Sequence, residues 1–200
     1  MVLAPFSPAN ISAAILAGGE GRRVDGRDKG LLPLAGKPLV AHVVGALNGQ
    51  ADTILICTNR HEREYAPFGR IVHDPTPDFR GPLAGIASAL AQCATPWLLT
   101  VPVDGPNLPA DLAPRLFAAA LVANSDLALA YDGARRQPLF ALYRASLATS
   151  AAEALQHDLP AWRWQESLGA AHADFSDMPQ AFANLNTLDA FREWERVHGH

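Results

Sequence analysis

Short apolar runs of strand length alternate with helical patterns along most of the chain, and this alternation limits the possible folds. The predicted strands are residues 11–17, 53–57, 70–73, 97–101, 127–131 and 139–143. The predicted helices are residues 38–48, 82–92, 109–123, 145–157 and 187–198. Strands that are apolar along their whole length are typical of parallel sheets with helices on both faces. We therefore expect an α/β fold, a three-layer Rossmann-like sheet. Residues 158–183 show neither the helical nor the strand spacing of apolar residues.

Length and composition agree with a globular protein. A chain of 200 residues suits a single domain, residues 1–200, and can bury roughly 70% of its unfolded surface. Its net charge of −4 argues against a nucleic-acid backbone as the main partner. Cys57 and Cys93 lie far apart and form no metal-binding spacing, so we expect free thiols and a cytoplasmic location.

Two uncharged stretches, residues 1–19 and 81–103, are about as long as a membrane-spanning helix. A helix that spans a bilayer needs about 20 consecutive apolar residues. Prolines interrupt both stretches, and a proline inside a helix breaks or kinks it. The first stretch also lacks the basic start of a signal peptide. We expect no association with a membrane.

A glycine-rich, charged segment, LAGGEGRRVDGRDKG, follows the first predicted strand. In an open α/β sheet, ligands bind beyond the carboxyl ends of the strands. Glycines let backbone N–H groups approach phosphate oxygens closely, and arginine and lysine neutralise phosphate charge. The segment therefore predicts a phosphate-binding loop. The alternative is an ordinary solvated connection between a strand and a helix.

Two common phosphate-binding motifs do not match this segment. A P-loop needs Gly-Lys followed by Ser or Thr, and the chain has Gly26-Arg27-Asp28 instead. The dinucleotide-binding fingerprint needs a small residue where Val24 stands. The loop is therefore of another kind.

An ordered set of motifs resembles the molybdenum cofactor guanylyltransferases and covers nearly the whole chain. The motifs are LAGG at 16–19, Arg22-Arg23, DKGL at 28–31, LAGKPL at 34–39, FRGPLAGI at 79–86, VPVDGPNLP at 101–109 and NLNT at 184–187. The resemblance implies a fold of the nucleotide-diphospho-sugar transferase type, with GTP and Mg²⁺ as requirements. It also implies that the phosphate of molybdopterin attacks the α-phosphorus of GTP and releases diphosphate.

The resemblance also implies the roles of individual residues. Arg22, Lys29 and Asp104 would be catalytic, and Asp104 would hold the metal. Asn184 and Asn186 would contact the pterin. The nucleotide would be bound by Leu16, Ala17, Gly18, Gly19, Lys29, Asp74 and Asp104.

Physical chemistry supports these roles but leaves alternatives. Magnesium prefers oxygen ligands, so a single carboxylate with substrate phosphates suffices; alternatively, Asp104 caps the helix that begins near residue 109. Asp74 can accept hydrogen bonds from guanine, bind ribose hydroxyls, or serve as a turn residue. Asn184 and Asn186 can contact the pterin or cap the last helix.

Four positions depart from the family pattern, one of them Val103, which stands where cysteine is common. Val24 and Asp25 replace residues that are often Met-Gly, and Cys57 stands where asparagine is common. Rival functions are a molybdopterin cytidylyltransferase, a sugar-phosphate nucleotidyltransferase, and a non-catalytic guanine-nucleotide-binding scaffold of cofactor assembly. Further expected partners are other proteins of cofactor assembly, or the enzymes that accept the cofactor.

Overall fold

A computed structural model of the chain describes residues 5–18, 28–74 and 81–198. The strands are β1 Ile11–Leu16, β2 Pro33–Leu34, β3 Lys37–Pro38, β4 Thr53–Cys57, β5 Arg70–Val72, β6 Trp97–Pro102, β7 Leu127–Tyr131, β8 Arg136–Arg144 and β9 Ala171–Asp174. The α-helices are α1 Leu39–Ala46, α2 Glu62–Tyr65, α3 Pro82–Ala91, α4 Leu112–Ala123, α5 Ala148–Gln156, α6 Ala161–Ser167 and α7 Leu188–His198.

Seven strands form the central sheet in the order β5-β4-β1-β6-β8-β7-β9, and β2 and β3 form a separate ribbon. Strands β5, β4, β1 and β6 are parallel neighbours. The expectation of a parallel sheet is wrong at β8, which pairs antiparallel with both β6 and β7. The physical reason is the short connection between β7 and β8, because two adjacent strands joined by a tight turn must run in opposite directions.

The helices cover both faces of the sheet, which confirms the three-layer α/β architecture. Successive residues of β1 point to opposite faces, as strand geometry requires: Ala13 lies in one buried cluster with α1 and α4, and Ala14 lies in the other with α3, α5 and α6. A third, smaller cluster joins Leu34 and Leu39 to Phe191 of α7. The last helix is thereby attached near the start of α1.

Helix α4 begins at Leu112, three residues later than the helix predicted from the sequence. The side chain of Gln50, which is buried, organises this start. Its Oε1 accepts a hydrogen bond from the backbone N–H of Ala113 at 2.9 Å, and its Nε2 donates to the carbonyl of Pro109 at 2.9 Å. A remote side chain therefore satisfies one of the free N–H groups that every helix start presents.

The segment that gave no sequence period, residues 158–183, contains α6, β9 and a short 3₁₀ helix. Trp164 of α6 stacks on Tyr143 of β8 with ring centroids 5.6 Å apart. Strand β9 pairs in parallel with β7 and forms the edge of the sheet. Among the helices of the described residues, none combines the length and the apolar character needed to cross a membrane.

Candidate functional site

Three side chains from distant parts of the chain meet at the carboxyl ends of β1 and β6. The ammonium of Lys29 donates to Oδ2 of Asp104 at 2.9 Å and to Oδ1 of Asn186 at 2.6 Å. The side chains of Lys29 and Asp104 are only 18% and 17% exposed. Because partial burial reduces screening by water, this pairing is stronger than that of an exposed ion pair.

The topology of the sheet explains why these groups meet. The chain moves from β1 to β4 and β5 on one side, and then crosses to β6 on the other side of β1. A crevice forms where the strand order reverses, at the carboxyl ends of the strands. Lys29 follows β1 and Asp104 follows β6, so both reach this crevice.

The backbone around Lys29 is a single 3₁₀ turn, Lys29–Leu31, capped by Asp28. Oδ1 of Asp28 accepts hydrogen bonds from the N–H of Gly30 at 3.1 Å and from the hydroxyl of Tyr65 at 2.5 Å. Tyr65 is fully buried at the end of α2. The turn that carries the lysine is therefore fixed to the protein core.

Asp74 lies beside the crevice, two residues after β5. Its Oδ1 is buried and has no hydrogen-bond partner among the residues that the structure describes. Burial raises the pKa of its carboxyl, against a smaller opposing effect of the His73 charge. A Cβ added to Gly18 or Gly85 would lie 3.8 or 3.7 Å from an oxygen of Asp74. The carboxyl thus adjoins two positions without side chains at the crevice.

Asn59, two residues after β4, supports Asp74, and Cys57, the last residue of β4, lies close to it. The backbone N–H of Asp74 donates to Oδ1 of Asn59 at 2.8 Å. The Cys57 thiol is buried next to Gly85 and donates weakly to its carbonyl at 3.5 Å. Burial, and to a lesser degree the charge of Asp74, raises the pKa of Cys57 above its ordinary value, so this thiol stays protonated and unreactive.

The backbone after β1 is only partly available to a ligand. The N–H of Ala17 donates to the carbonyl of Cys57 at 3.0 Å, and the carbonyl of Leu16 accepts from Val103 at 3.2 Å. The Ala17 amide is therefore already used within the sheet, because a parallel neighbour strand extends its hydrogen bonding past β1. Gly18 is exposed, so its backbone remains accessible.

The two asparagines of the NLNT motif have different surroundings. Asn186 is partly buried against Lys29, whereas Asn184 is exposed. Neither is the residue that caps α7: Oγ1 of Thr187 accepts from the N–H of Ala190 at 3.2 Å. The structure thus brings Asn186 into the cluster with Lys29 and Asp104, and leaves Asn184 at the surface.

Several predicted positions lie outside the described residues. Gly19 and Arg22 are among them, as are Val24 and Asp25, the two departures from the family loop. Their predicted roles remain predictions.

The described residues suit a magnesium ion that shares its coordination with a substrate. Among these residues, no group of three or more His, Cys, Asp or Glu side chains could enclose a metal. Mg²⁺ does not require such a group, since it is commonly bound by one or two carboxylates together with phosphates and water. The partly buried carboxylate of Asp104, at the crevice and beside a lysine, fits that mode.

Sequence reasoning did not identify two contacts of the cluster. The bond between Asn186 and Lys29 joins residues 157 positions apart, and the Asp28–Tyr65 bond joins residues 37 apart. The only available signal was the position of Asp28 and Lys29 next to each other in the DKGL motif. A single sequence does not show which distant partner each side chain meets.

Comparison with known proteins agrees with the fold and the site. The sequence profile of the MobA-like NTP transferase domain matches residues 13–173. A molybdenum cofactor guanylyltransferase of Shewanella putrefaciens is 41% identical over 184 residues, which cover 91% of this chain and 94% of that protein. The molybdenum cofactor guanylyltransferase of Cupriavidus necator is 42% identical over 193 residues, which cover 93% and 96%.

Solved structures show the same fold at lower identity. Molybdopterin-guanine dinucleotide biosynthesis protein A from Archaeoglobus fulgidus superimposes with a TM-score of 0.76 at 21% identity, covering 94% of this chain and 98% of that one. A 4-diphosphocytidyl-2C-methyl-D-erythritol synthase from Anaerococcus prevotii superimposes with a TM-score of 0.70 at 11% identity, covering 96% and 97%. With its sheet, its crevice and these relatives, the chain belongs to the MobA-like NTP transferase family, the family of the molybdenum cofactor guanylyltransferases.

Proposed function

We propose that this protein transfers GMP from GTP to molybdopterin, releases diphosphate and so forms the molybdopterin guanine dinucleotide cofactor. The observation that carries the proposal is the cluster of Lys29, Asp104 and Asn186 at the crevice of the sheet. Its residues belong to the motifs of a chain that is 37–42% identical to molybdenum cofactor guanylyltransferases.

The residues of the cluster suit a phosphoryl-type transfer. Such a reaction needs positioning and stabilisation of charge, with little covalent participation of the protein. The phosphate of molybdopterin is already ionised, so a general base is not needed for its attack on the α-phosphorus. Lys29, with Arg22 from the preceding loop, would neutralise the triphosphate and oppose the charge that develops on the leaving diphosphate.

Asp104 would hold Mg²⁺ together with the phosphates of GTP. When bound, this ion supplies neutralisation of phosphate charge. The Asp104 carboxylate also accepts a hydrogen bond from the Lys29 ammonium. The pair keeps both groups oriented toward the crevice before substrate arrives, which reduces the reorganisation needed during the reaction.

Asp74 would recognise the guanosine part of the nucleotide. Guanine presents two N–H donors on one edge, and the Asp74 carboxylate is an acceptor whose Oδ1 has no donor among the described residues. Leu16, Ala17, Gly18 and Gly19 would contact the nucleotide from the end of β1. Asn184 and Asn186 would face the pterin. We also place the protein in the cytoplasm, where its free cysteines stay reduced.

The test follows diphosphate release by the purified protein with molybdopterin, Mg²⁺ and either GTP or CTP. We expect release with GTP, and loss of release when the metal is chelated. Release with CTP alone would make the protein a cytidylyltransferase. Release only when a sugar phosphate replaces molybdopterin would indicate a sugar-phosphate nucleotidyltransferase. Binding of GTP without turnover would indicate a scaffold of cofactor assembly.

A matched pair of variants tests the site. Asp104→Asn removes the carboxylate charge at the crevice and should lower kcat by at least about 100-fold. Asp126→Asn removes a carboxylate that pairs with Arg144 at 3.3 Å. Asp126 directly precedes β7, and β6 and β7 both run antiparallel to β8. Asp126 therefore lies at the amino ends of these strands, away from the crevice, and this variant should keep full activity. Equal activity of the two variants would remove Asp104 from the mechanism.

A further inference from the structure

The Lys29 ammonium is carried by a short turn. The 3₁₀ helix Lys29–Leu31 is one turn long, and isolated turns of this kind have little intrinsic stability. The side chain of Lys29 is long and loses rotamer entropy when it is fixed. Contacts from outside the turn must therefore hold it.

Tyr65 supplies such a contact from the protein core. Its hydroxyl donates to the same Asp28 oxygen, Oδ1, that accepts the N–H of Gly30. The Asp28 carboxylate thus connects the first residues of the turn to α2. Hydrogen bonds to a charged group are about twice as strong as neutral ones, and Tyr65 is fully buried.

Gly30 brings the same turn against the strand that leads to Asp104. A Cβ at Gly30 would overlap the hydroxyl of Tyr65 and would lie 2.7 Å from Cγ2 of Val103. Val103 directly precedes Asp104. The backbone next to Lys29 is therefore packed between the Tyr65 hydroxyl and the residue before the carboxylate that Lys29 contacts.

We propose that Tyr65 is a positioning residue for the transfer reaction, which acts by fixing through Asp28 the turn that directs Lys29 toward Asp104. Tyr65 does not contact the crevice cluster itself. Burial and the neighbouring Asp28 raise the pKa of the Tyr65 hydroxyl above its ordinary value, so it remains a donor at every pH at which the protein works. The expected effect on kcat rests on the proposed function, whereas the positioning of Lys29 does not.

The kinetic test compares Tyr65→Phe with Tyr143→Phe. Tyr143 is also fully buried, and its hydroxyl accepts from Nε2 of Gln165 at 2.6 Å, on the face of the sheet covered by α6. Tyr65→Phe should lower kcat for diphosphate release by about 10- to 100-fold and leave the KM for molybdopterin nearly unchanged. Tyr143→Phe should change kcat by less than about 2-fold.

A double-mutant cycle separates positioning from general destabilisation. In a Lys29→Ala background, Tyr65→Phe should lower the remaining kcat by less than about 2-fold, because the group that it positions is already absent. A merely structural role of Tyr65 would produce the same fold-change in both backgrounds, and that result would overturn the proposal.

A second readout does not depend on activity. The chain has two lysines, Lys29 and Lys37, and Lys37 is exposed. The rate of acylation of each amine by an excess of acetic anhydride, measured by mass spectrometry of peptides, gives a ratio with Lys37 as the internal standard. Tyr65→Phe should raise the Lys29 to Lys37 ratio several-fold, and Tyr143→Phe should leave it unchanged.

The two readouts separate the possible failures. An unchanged labelling ratio in Tyr65→Phe contradicts the positioning role, whatever its activity. A raised ratio in a protein that releases no diphosphate with GTP supports the positioning of Lys29 and contradicts the proposed function instead.

Discussion

Nζ of Lys29 lies 2.9 Å from Oδ2 of Asp104, although 75 residues separate them in sequence. The contact exists because β1 and β6 are adjacent parallel strands, so the residues that follow them emerge at the same edge of the sheet. Asn186 completes the group from the segment that precedes the last helix. The protein therefore holds a cation and an anion close together at the crevice before any ligand binds.

Replacing Asn186 should affect the reaction more than replacing Asn184. Asn186→Ala removes the 2.6 Å hydrogen bond to Lys29 and should lower kcat by about 10-fold, the loss expected when a charged group loses one well-aligned partner. Asn184→Ala changes an exposed side chain and should alter only the KM for molybdopterin. Steady-state kinetics of both variants checks this, and a larger loss of kcat in Asn184→Ala would contradict it.

The affinity for GTP should depend on pH through Asp74. Burial raises the pKa of this carboxyl, so part of it stays protonated above the usual carboxyl range. A carboxylate accepts guanine N–H groups better than a neutral acid does, so affinity should rise as pH increases through this raised pKa and then level off. Calorimetric titrations at several pH values check this.

Asp74→Asn is the control for that titration. The ratio of wild-type to variant affinity cancels the titration of the GTP phosphates, which is common to both proteins. The ratio should rise with pH and then become constant. A ratio that does not change with pH would show that Asp74 does not meet the base.

The same carboxyl should reduce the stability of the empty protein at neutral pH. The pKa of the Asp74 carboxyl is higher in the folded protein than in the unfolded protein. The contribution of this carboxyl to stability is therefore complete at pH values below the unfolded pKa, and it is lost as the pH rises through the folded pKa. Asp74→Asn carries no charge at any pH, so its Tm should exceed that of the wild type at neutral pH. The difference should shrink below the ordinary carboxyl range.

Asp177→Asn provides a comparison of opposite sign. The hydrogen bond from Arg115 lowers the pKa of Asp177, so this carboxylate contributes stability above its unfolded pKa. Its loss should lower Tm at neutral pH and have no effect once acid has protonated the group. Thermal unfolding of Asp74→Asn and Asp177→Asn at several pH values checks the two changes in Tm together. Changes in the same direction at neutral pH would contradict the opposite pKa shifts of the two carboxyls.

Gly30→Ala should destabilise the protein, whereas Gly45→Ala should not. A Cβ at Gly30 would meet the Tyr65 hydroxyl and Val103, and such overpacking costs about 1–3 kcal/mol. Apart from the neighbouring backbone of α1, no atom of the described residues lies within 4 Å of a Cβ at Gly45, near the end of α1, where alanine favours the helix by up to about 1 kcal/mol. Urea unfolding measures both, and similar free energies of unfolding for the two variants would contradict the packing described for Gly30.

Gln50→Ala should be among the more destabilising single changes. Gln50 is 2% exposed and bonds to the backbone of Ala46, Pro109 and Ala113. Its removal leaves buried backbone groups without partners, at a cost of about 2–4 kcal/mol. Gln156→Ala, at an exposed position near the end of α5, should change the free energy of unfolding by less than about 0.5 kcal/mol. Chemical denaturation of Gln50→Ala and Gln156→Ala measures the two free energies of unfolding, and equal values would contradict the role of Gln50.

The sequence predicted elements best where an apolar run was bounded by polar residues. Both bounds of β4 and β7 match the structure, since each is a short apolar run whose burial needs no knowledge of its neighbours. The direction of β8 was missed, although Asp132-Gly133 is a recognisable turn signal. Residues 158–183 could not be assigned, because Trp164 and its neighbours are placed by packing on other elements and not by a local period.

The sequence by itself determined the alternation of strands and helices, the three-layer architecture and the set of motif residues, Asp104 and Lys29 among them. Local patterns and residue types suffice for these features, since they depend on neighbours a few positions apart. Only the tertiary structure decided which side chains meet: Asn186 and Asp104 with Lys29, and Tyr65 with Asp28. These contacts join residues 37 to 157 positions apart, and the order of strands in the sheet, which no local preference encodes, brings them together.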